Sequence, residues 1–290
     1  MQFERLGVDP LFPGSGEVYK CNGYYLNHEH GGIVNREWLD NNFEACADDV
    51  YVASFPKTGT TWAQELVYVI GNDLNFEKAQ ALPMHLRFPY IESRVFTKDP
   101  TKIELFKPRF IKTHYPFSLL PQSVVDKKCK IVYTIRNPKD TLVSYFHFAT
   151  SNALFDYQGD FPTFFKMFME ERVVYSPFSK HILEYWQRRN QDNILILMYE
   201  DMKKDLASAV RDIASFLEKT LNDDQVQQVV KHCSFESMKK NPSTNYLKGF
   251  MRKGKVGDWR NIFTEEMSQQ MDDYVQRHFE GTGLKFKFDL

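Results

Sequence analysis

Between the apolar run Val50–Phe55 and the amphipathic run Thr61–Ile70 stands the segment Ser54-Phe55-Pro56-Lys57-Thr58-Gly59-Thr60-Thr61-Trp62. A loop leading from a strand into a helix aims backbone N–H groups and the positive end of the helix dipole at one point, which favours an anion. Gly59 lets the backbone approach closely, Lys57 adds a point charge, and Thr58, Thr60 and Thr61 add hydroxyl donors. The lysine precedes the single glycine, so the segment is not the GxxxxGK[ST] loop of nucleoside-triphosphate enzymes. A tight strand-to-helix turn with solvated hydroxyls is the plain alternative. Three more segments carry related residues: Lys112-Thr113-His114-Tyr115-Pro116, Arg136 with Ser144 two helical turns on, and Phe250-Met251-Arg252-Lys253-Gly254-Lys255. A second glycine pair, Gly14-Ser15-Gly16, lacks both a third glycine and a preceding strand, and is set aside as a dinucleotide signature.

The elements that must position these groups alternate in type. Strands are expected at Val50–Phe55, Arg109–Thr113, Lys130–Arg136 and Ile194–Tyr199. Helices are expected at Thr61–Ile70, from Pro138 to about Ser151, and near Phe161–Glu171, Pro177–Asn190, Leu206–Glu218, Asp223–His232 and Thr264–Phe279. Asn137 followed by Pro138 is a strong helix start, an Asn cap with Pro in the first position. Strands alternating with helices imply an α/β fold with a central parallel sheet flanked by helices, and ligands at the strand C-termini. The phosphate-binding loop would join a strand to a helix, as in P-loop proteins. No composition break divides the chain, so residues 1–290 are read as a single domain.

The charge balance narrows the class of partner. Lys and Arg number 37 against 38 Asp and Glu, a net charge of -1, which argues against bulk electrostatic binding to nucleic acid or a membrane surface. A local cluster of cations is still allowed. No run approaches the roughly 18 apolar residues of a membrane span, and the first residues lack the apolar core of a secretory signal. The four cysteines Cys21, Cys46, Cys129 and Cys233 form no metal or redox spacing. A soluble cytoplasmic protein is expected. Aromatic residues make up 15% of the chain, and composition does not choose between core filling and a pocket for flat apolar ligands.

Six segments together decide the resemblance. SFPKTGTTW, IKTHYP, YTIRNPKDTLVSYFHF, YEDMKKD, FESMKKNPSTNY and FMRKGKVGDW run in order through most of the chain and closely resemble the cytosolic sulfotransferases. That family moves a sulfonate group from 3′-phosphoadenosine 5′-phosphosulfate (PAPS) to a hydroxyl or amine of a small acceptor, without a metal. The resemblance implies that Lys57, Thr58, Gly59, Thr60 and Thr61 cradle the 5′-phosphosulfate and that Trp62 stacks on adenine. Phe235 would cover the other adenine face, and Tyr199 would hydrogen-bond the purine. Arg136, Ser144, Arg252, Lys253 and Gly254 would hold the 3′-phosphate. His114 would be the general base, a task that suits a neutral imidazole. Lys57 and Lys112 would stabilise charge developing on oxygen, and Ser144 would restrain Lys57 when the acceptor is absent.

The chain departs from the family pattern in two places. Only Leu247-Lys248-Gly249 separates Asn245-Tyr246 from Phe250, where many members carry a longer covering loop, so a smaller lid and a more open acceptor mouth are expected. In the run corresponding to the family's dimer motif, Glu265 and Gln269 replace a valine and a glutamate, which makes that dimer doubtful. Tyr90, Phe148 and Tyr246 fall where the family lines its acceptor pocket, favouring phenols, steroids or similar flat alcohols, with amines still possible. Two rival readings remain at this level: a metal-dependent small-molecule kinase and a non-catalytic module that holds an adenosine bisphosphate.

Overall fold

The computed structural model describes residues 3–28, 33–93, 108–153, 155–245 and 251–290, with the backbone alone for 33–35 and 37. Four strands form a parallel sheet: β4 (Val50–Ser54), β5 (Phe110–Thr113), β6 (Lys130–Ile135) and β7 (Ile194–Met198). Their order is β5-β4-β6-β7, and every pairing is parallel. The alternation of side chains along a strand decides what each face meets. Val50 and Val52 of β4 join Leu66, Val69, Val210, Ile213, Val226 and Val229 in one apolar cluster. Tyr51 and Ala53 point the other way, into a cluster with Ile131, Tyr133, Tyr145, Phe164 and Phe178. Helices therefore cover both faces, the arrangement that an all-parallel sheet requires.

The chain leaves β4 for one side of the sheet and later crosses to the other, so the strand order reverses beside β4. Such a reversal opens a crevice at the C-terminal ends of the strands. The expected helix starts hold. Asn137 caps the helix Pro138–Ser151 by accepting from the Asp140 N–H, and Asn222 forms a capping box with Gln225 on Asp223–His232. Several element ends shift by a residue or two, the helix expected at Pro177–Asn190 runs only from Phe178 to Trp186, and one shift bears on the site. Tyr199 does not end β7 but begins the short helix Tyr199–Lys204, with Glu200 and Asp201 in its first turn and Lys203 and Lys204 in its last. That charge order suits the helix dipole, and it sets Tyr199 at a strand-to-helix corner.

Three antiparallel strands were not foreseen: β1 (Phe3–Val8), β2 (Glu17–Cys21) and β3 (Tyr24–Asn27) form a second sheet. The signal was present. Asn22-Gly23 joins β2 to β3 with both residues at positive φ, 51° and 83°, and Cys21 pairs with Tyr24 across the turn. Asn-Gly is the preferred sequence for such a hairpin. The sheet is tied to the rest through Tyr25, whose N–H donates to Ser176 and whose carbonyl accepts from Tyr175. All four cysteines are free thiols.

A buried ion pair locks the segment that leads to Tyr90. The Arg87 guanidinium lies 2.7 Å from Glu65 of the helix Thr60–Gly71, with both side chains fully excluded from solvent. Arg87 also donates to Ser243, and His232 meets the second Glu65 oxygen at 2.6 Å. Removing Arg87 would leave the buried Glu65 with His232 as its remaining partner, and breaking such a buried pair costs about 3–5 kcal/mol. An Arg87→Ala variant is expected to lose that much in urea unfolding, with the largest change at the midpoint.

Candidate active site

The loop after β4 places its groups by backbone conformation. Gly59 caps the helix Thr60–Gly71 at φ 111°, and a Cβ there would lie 2.9 Å from the Tyr199 ring. Lys57 is also left-handed, at φ 71°, a strained conformation for a residue with a side chain. Its ammonium sits 4.3 Å from the centre of the Phe148 ring. Thr60 shares a hydrogen bond of 2.6 Å with Ser54. Thr58 behaves differently from the expectation that its hydroxyl faces the anion. It is fully buried and donates toward the carbonyls of Phe55 and Thr134 at 2.8 and 3.0 Å. The side chain braces the loop against β6, which leaves only the Thr58 backbone for a ligand.

At the end of β5, His114 Nδ1 lies 2.8 Å from the Ser54 carbonyl oxygen. A carbonyl can only accept, so Nδ1 carries the proton and Nε2 keeps the lone pair. Burial, then Lys112, holds the imidazole well below its ordinary pKa, so it is neutral near pH 7. The Lys112 ammonium lies 4.3 Å from the centre of the Tyr90 ring. The Tyr90 and His114 ring centres are 5.5 Å apart, edge to face, and the Tyr90 and Tyr175 hydroxyls share a hydrogen bond. Behind the histidine, the buried Glu92 carboxylate accepts from the His114 N–H and from the Thr113 hydroxyl. Burial raises the Glu92 pKa and lowers that of Lys112.

Beyond β6, the Arg136 guanidinium stacks 4.3 Å from the centre of the Tyr199 ring and donates to the Lys255 carbonyl. Its Nε is buried without a hydrogen-bond partner among the described residues. Asp258 holds Arg252 and Lys253, each at 2.7 Å. Burial works against the Asp258 carboxylate, but its bonds to Lys253, Arg252 and Asn261 outweigh that and hold its pKa at about 2. Between those cations and the next turn, Gly254 leaves room for Phe235: a Cβ there would fall 2.3 Å from the ring. Trp62 is fixed by its indole N–H on the Cys233 carbonyl, 2.8 Å away, and meets the Tyr199 ring edge-on.

One cleft gathers these groups. Lys57, Gly59, Thr60, Thr61, Trp62, Lys112, His114, Arg136, Ser144, Phe148, Tyr199, Phe235, Arg252, Lys253 and Gly254 all line it. Thr58 does not, and Tyr90 stands behind Lys112 and His114 rather than on the cleft wall. Tyr246 and the shortened loop at Leu247–Gly249 lie outside the described residues. Lys203 and Lys255 line the cleft as well, together with Pro56, Met238 and Met251. Sequence reasoning missed Lys203 although it sits inside YEDMKKD, four residues after Tyr199 and so on the same helix face. Among the described residues no carboxylate lines the cleft. Burial, then the charges of Lys112, Arg136 and Arg252, push the Lys57 ammonium down to about 7. The site is thus short of negative charge, and its orphaned Arg136 Nε and glycine-made spaces fit a polyanion with a flat ring.

A sequence profile described as "Sulfotransferase domain" matches residues 47–283. The chain belongs to the sulfotransferase family. As such it is a PAPS-dependent transferase. Human sulfotransferase 1E1 is 35% identical over 288 residues, spanning 92% of this chain and 98% of that relative. The luciferin sulfotransferase of Photinus pyralis is 36% identical, spanning 91% of this chain and 82% of that relative. Among solved structures, retinol dehydratase in complex with androsterone and the inactive cofactor PAP superposes with a TM-score of 0.84. It is 30% identical, over 99% of this chain and 98% of that one. Mouse sulfotransferase SULT7A1 complexed with PAP gives 0.77 at 27% identity, over 92% and 95%. No described helix of this sulfotransferase is long and apolar enough to cross a membrane. Glu265 and Gln269, the altered positions of the family's dimer motif, are exposed at the start of the helix Glu265–Phe279.

Gly59 links the loop conformation to the Tyr199 wall, so it is the position least able to accept a side chain. A Gly59→Ala variant is expected to lose about 1–3 kcal/mol of stability from its positive φ. It should also weaken PAP binding, as read by denaturant unfolding and calorimetry respectively.

Proposed function

We propose that this chain transfers a sulfonate from PAPS to a hydroxyl or amine of a small, aromatic or hydrophobic acceptor, by in-line displacement with His114 as general base. One observation carries the reading. The Ser54 carbonyl holds the His114 Nδ1 proton, which leaves a neutral imidazole with its Nε2 lone pair in the cleft that also holds Lys57 and Lys112. When bound, PAPS supplies the electrophilic sulfur and a nucleotide leaving group.

The residues then divide the work. Trp62 and Phe235 offer two flat faces for adenine, and Tyr199 offers its hydroxyl to the purine. Arg136, Ser144, Arg252, Lys253 and the Gly254 backbone hold the 3′-phosphate, guanidinium groups being suited to paired hydrogen bonds with phosphate oxygens. The backbone of Thr58 and Gly59, with the hydroxyls of Thr60 and Thr61, receives the 5′ end at the helix N-terminus. His114 Nε2 takes the proton from the acceptor oxygen. Lys112 stabilises the oxygens of the transferring group, and Lys57 the charge left on the departing oxygen.

This donor set needs no divalent cation. Lys57, Lys112, Arg136, Lys203, Arg252, Lys253 and Lys255 line the cleft, whereas a hard metal asks for oxygen anions. The kinase alternative loses its support there. The one grouping of possible metal ligands among the described residues is Cys46, Asp48 and Asp49, and Asp49 is already committed to Arg109. On the acceptor side, Phe148 gives the cleft wall an aromatic face, with Tyr90 and Tyr175 packed on His114 behind that wall. It suits phenols and flat alcohols, in keeping with the androsterone, retinol and luciferin named for the relatives. A cytoplasmic location is the accompanying expectation, with the family's dimer contact in doubt at Glu265 and Gln269.

A transfer screen from labelled PAPS across phenols, steroids, amines and other alcohols, run with a chelator, tests the reaction and sorts the acceptors together. His114→Ala is expected to lower kcat/KM by about 10²–10⁴ while PAP affinity stays within about threefold, since the base acts on the acceptor and not the donor.

The Lys57 ammonium also predicts a pH dependence. Its proton is half lost at about 7 in the free protein, and a bound phosphate raises its pKa. Only the protonated form meets the anion as a cation. PAP affinity should therefore fall as pH rises over roughly pH 7 to 9, by at most tenfold per unit. Calorimetry at fixed ionic strength reads the slope, and Lys57→Met should reduce it to the part left by Lys112, whose pKa burial lowers to about 8.

A further inference from the structure

Lys57 shows a contact that its place in the loop does not require. Its ammonium lies 4.3 Å from the centre of the Phe148 ring. Phe148 stands on the helix Pro138–Ser151, and Phe155 braces its ring edge-on at 5.4 Å. The same ammonium is desolvated and repelled by Lys112, Arg136 and Arg252. A cation so placed gains from any negative surface, and the face of an aromatic ring is one. Lys112 repeats the arrangement on Tyr90, at the same distance of 4.3 Å.

We propose that Phe148 is a positioning residue for Lys57: its ring face holds the ammonium in the free protein, and nucleotide binding must draw it off. The proposal rests on reading the cleft as the PAPS site. Its sign follows from population shift. A contact made only in the free state opposes binding by the free energy of that contact, and removing it tightens binding. An aromatic acceptor stacked on Phe148 competes for the same face. Acceptor occupancy and release of Lys57 toward the donor are then coupled, and the coupling is reciprocal.

PAP binding measured by titration calorimetry tests this without turnover. Wild type, Phe148→Leu and Phe148→Trp are compared, each in the native and the Lys57→Met background. Phe148→Leu removes the ring face and should tighten PAP binding roughly fivefold, whereas Phe148→Trp offers a stronger face and should weaken it. In the Lys57→Met background both changes should shrink to within about twofold, the mark of a pairwise interaction. Equal shifts in both backgrounds, or shifts of the same sign for Leu and Trp, overturn the proposal. So does an unchanged affinity in Phe148→Leu. If that variant does not fold, the Phe148→Trp pair decides by the same sign rule. Wild type that fails to bind PAP overturns the reading of the cleft itself, and the proposal with it.

Discussion

Lys57, Lys112, Arg136 and Arg252 stand close enough that, together with burial, the last three push the first down to about 7. Cations do not collect in a poorly hydrated cleft unless the fold forces them to, because desolvation and mutual repulsion both oppose it. Here the forcing comes from the sheet. Lys57 follows β4, Lys112 lies in β5 and Arg136 follows β6, so parallel pairing in the order β5-β4-β6 delivers all three to one edge. Arg252 arrives separately, from the C-terminal part of the chain. The free protein is left with a deficit of negative charge that a polyanion can fill.

What holds those cations in place is a layer of acidic side chains set one step behind the cleft. Of these, Asp258 is held ionised, while burial raises the pKa of Glu92 and Glu200. Asp140 accepts from the N–H groups of Gly257 and Trp259, at 2.8 and 3.1 Å, and so anchors the loop that carries Arg252 and Lys253. Asp258 binds both of those cations directly. Glu200 accepts from the backbone and side chain of Asn137, steadying the residue after Arg136. Glu92 does the same for the His114 backbone. Each acid orders the chain that presents a cation or the neutral His114, yet none lines the cleft among the described residues. The near-zero net charge of the chain conceals this separation of sign.

Much of the site was legible because its chemistry is local. Lys57 and Gly59 are read from one turn, and Asn137-Pro138 marks its helix start within three residues. The antiparallel sheet was missed although Asn22-Gly23 announced a hairpin, because the flanking strands are short and do not alternate cleanly. The Thr58 hydroxyl departs from expectation for a different reason. A hydroxyl beside two others reads as a donor to the ligand, and only the approach of β6 shows that Thr134 takes it. Lys203 was passed over although its helix spacing from Tyr199 marks it, and Tyr175 because it meets His114 only through tertiary packing.

The sequence by itself determined the alternation of strands and helices, the family, and which residue types carry charge, a proton or a flat face. Those are properties of short windows, where periodicity, capping and motif spacing act. Tertiary structure alone decided which nitrogen of His114 keeps a lone pair, since the carbonyl that selects it belongs to Ser54, 60 residues away in the chain. It also decided that the Lys57 ammonium rests on Phe148 and that its proton is loosely held. Proton position and cation strength depend on burial and on neighbours brought together by the sheet, and no stretch of sequence contains those neighbours at once.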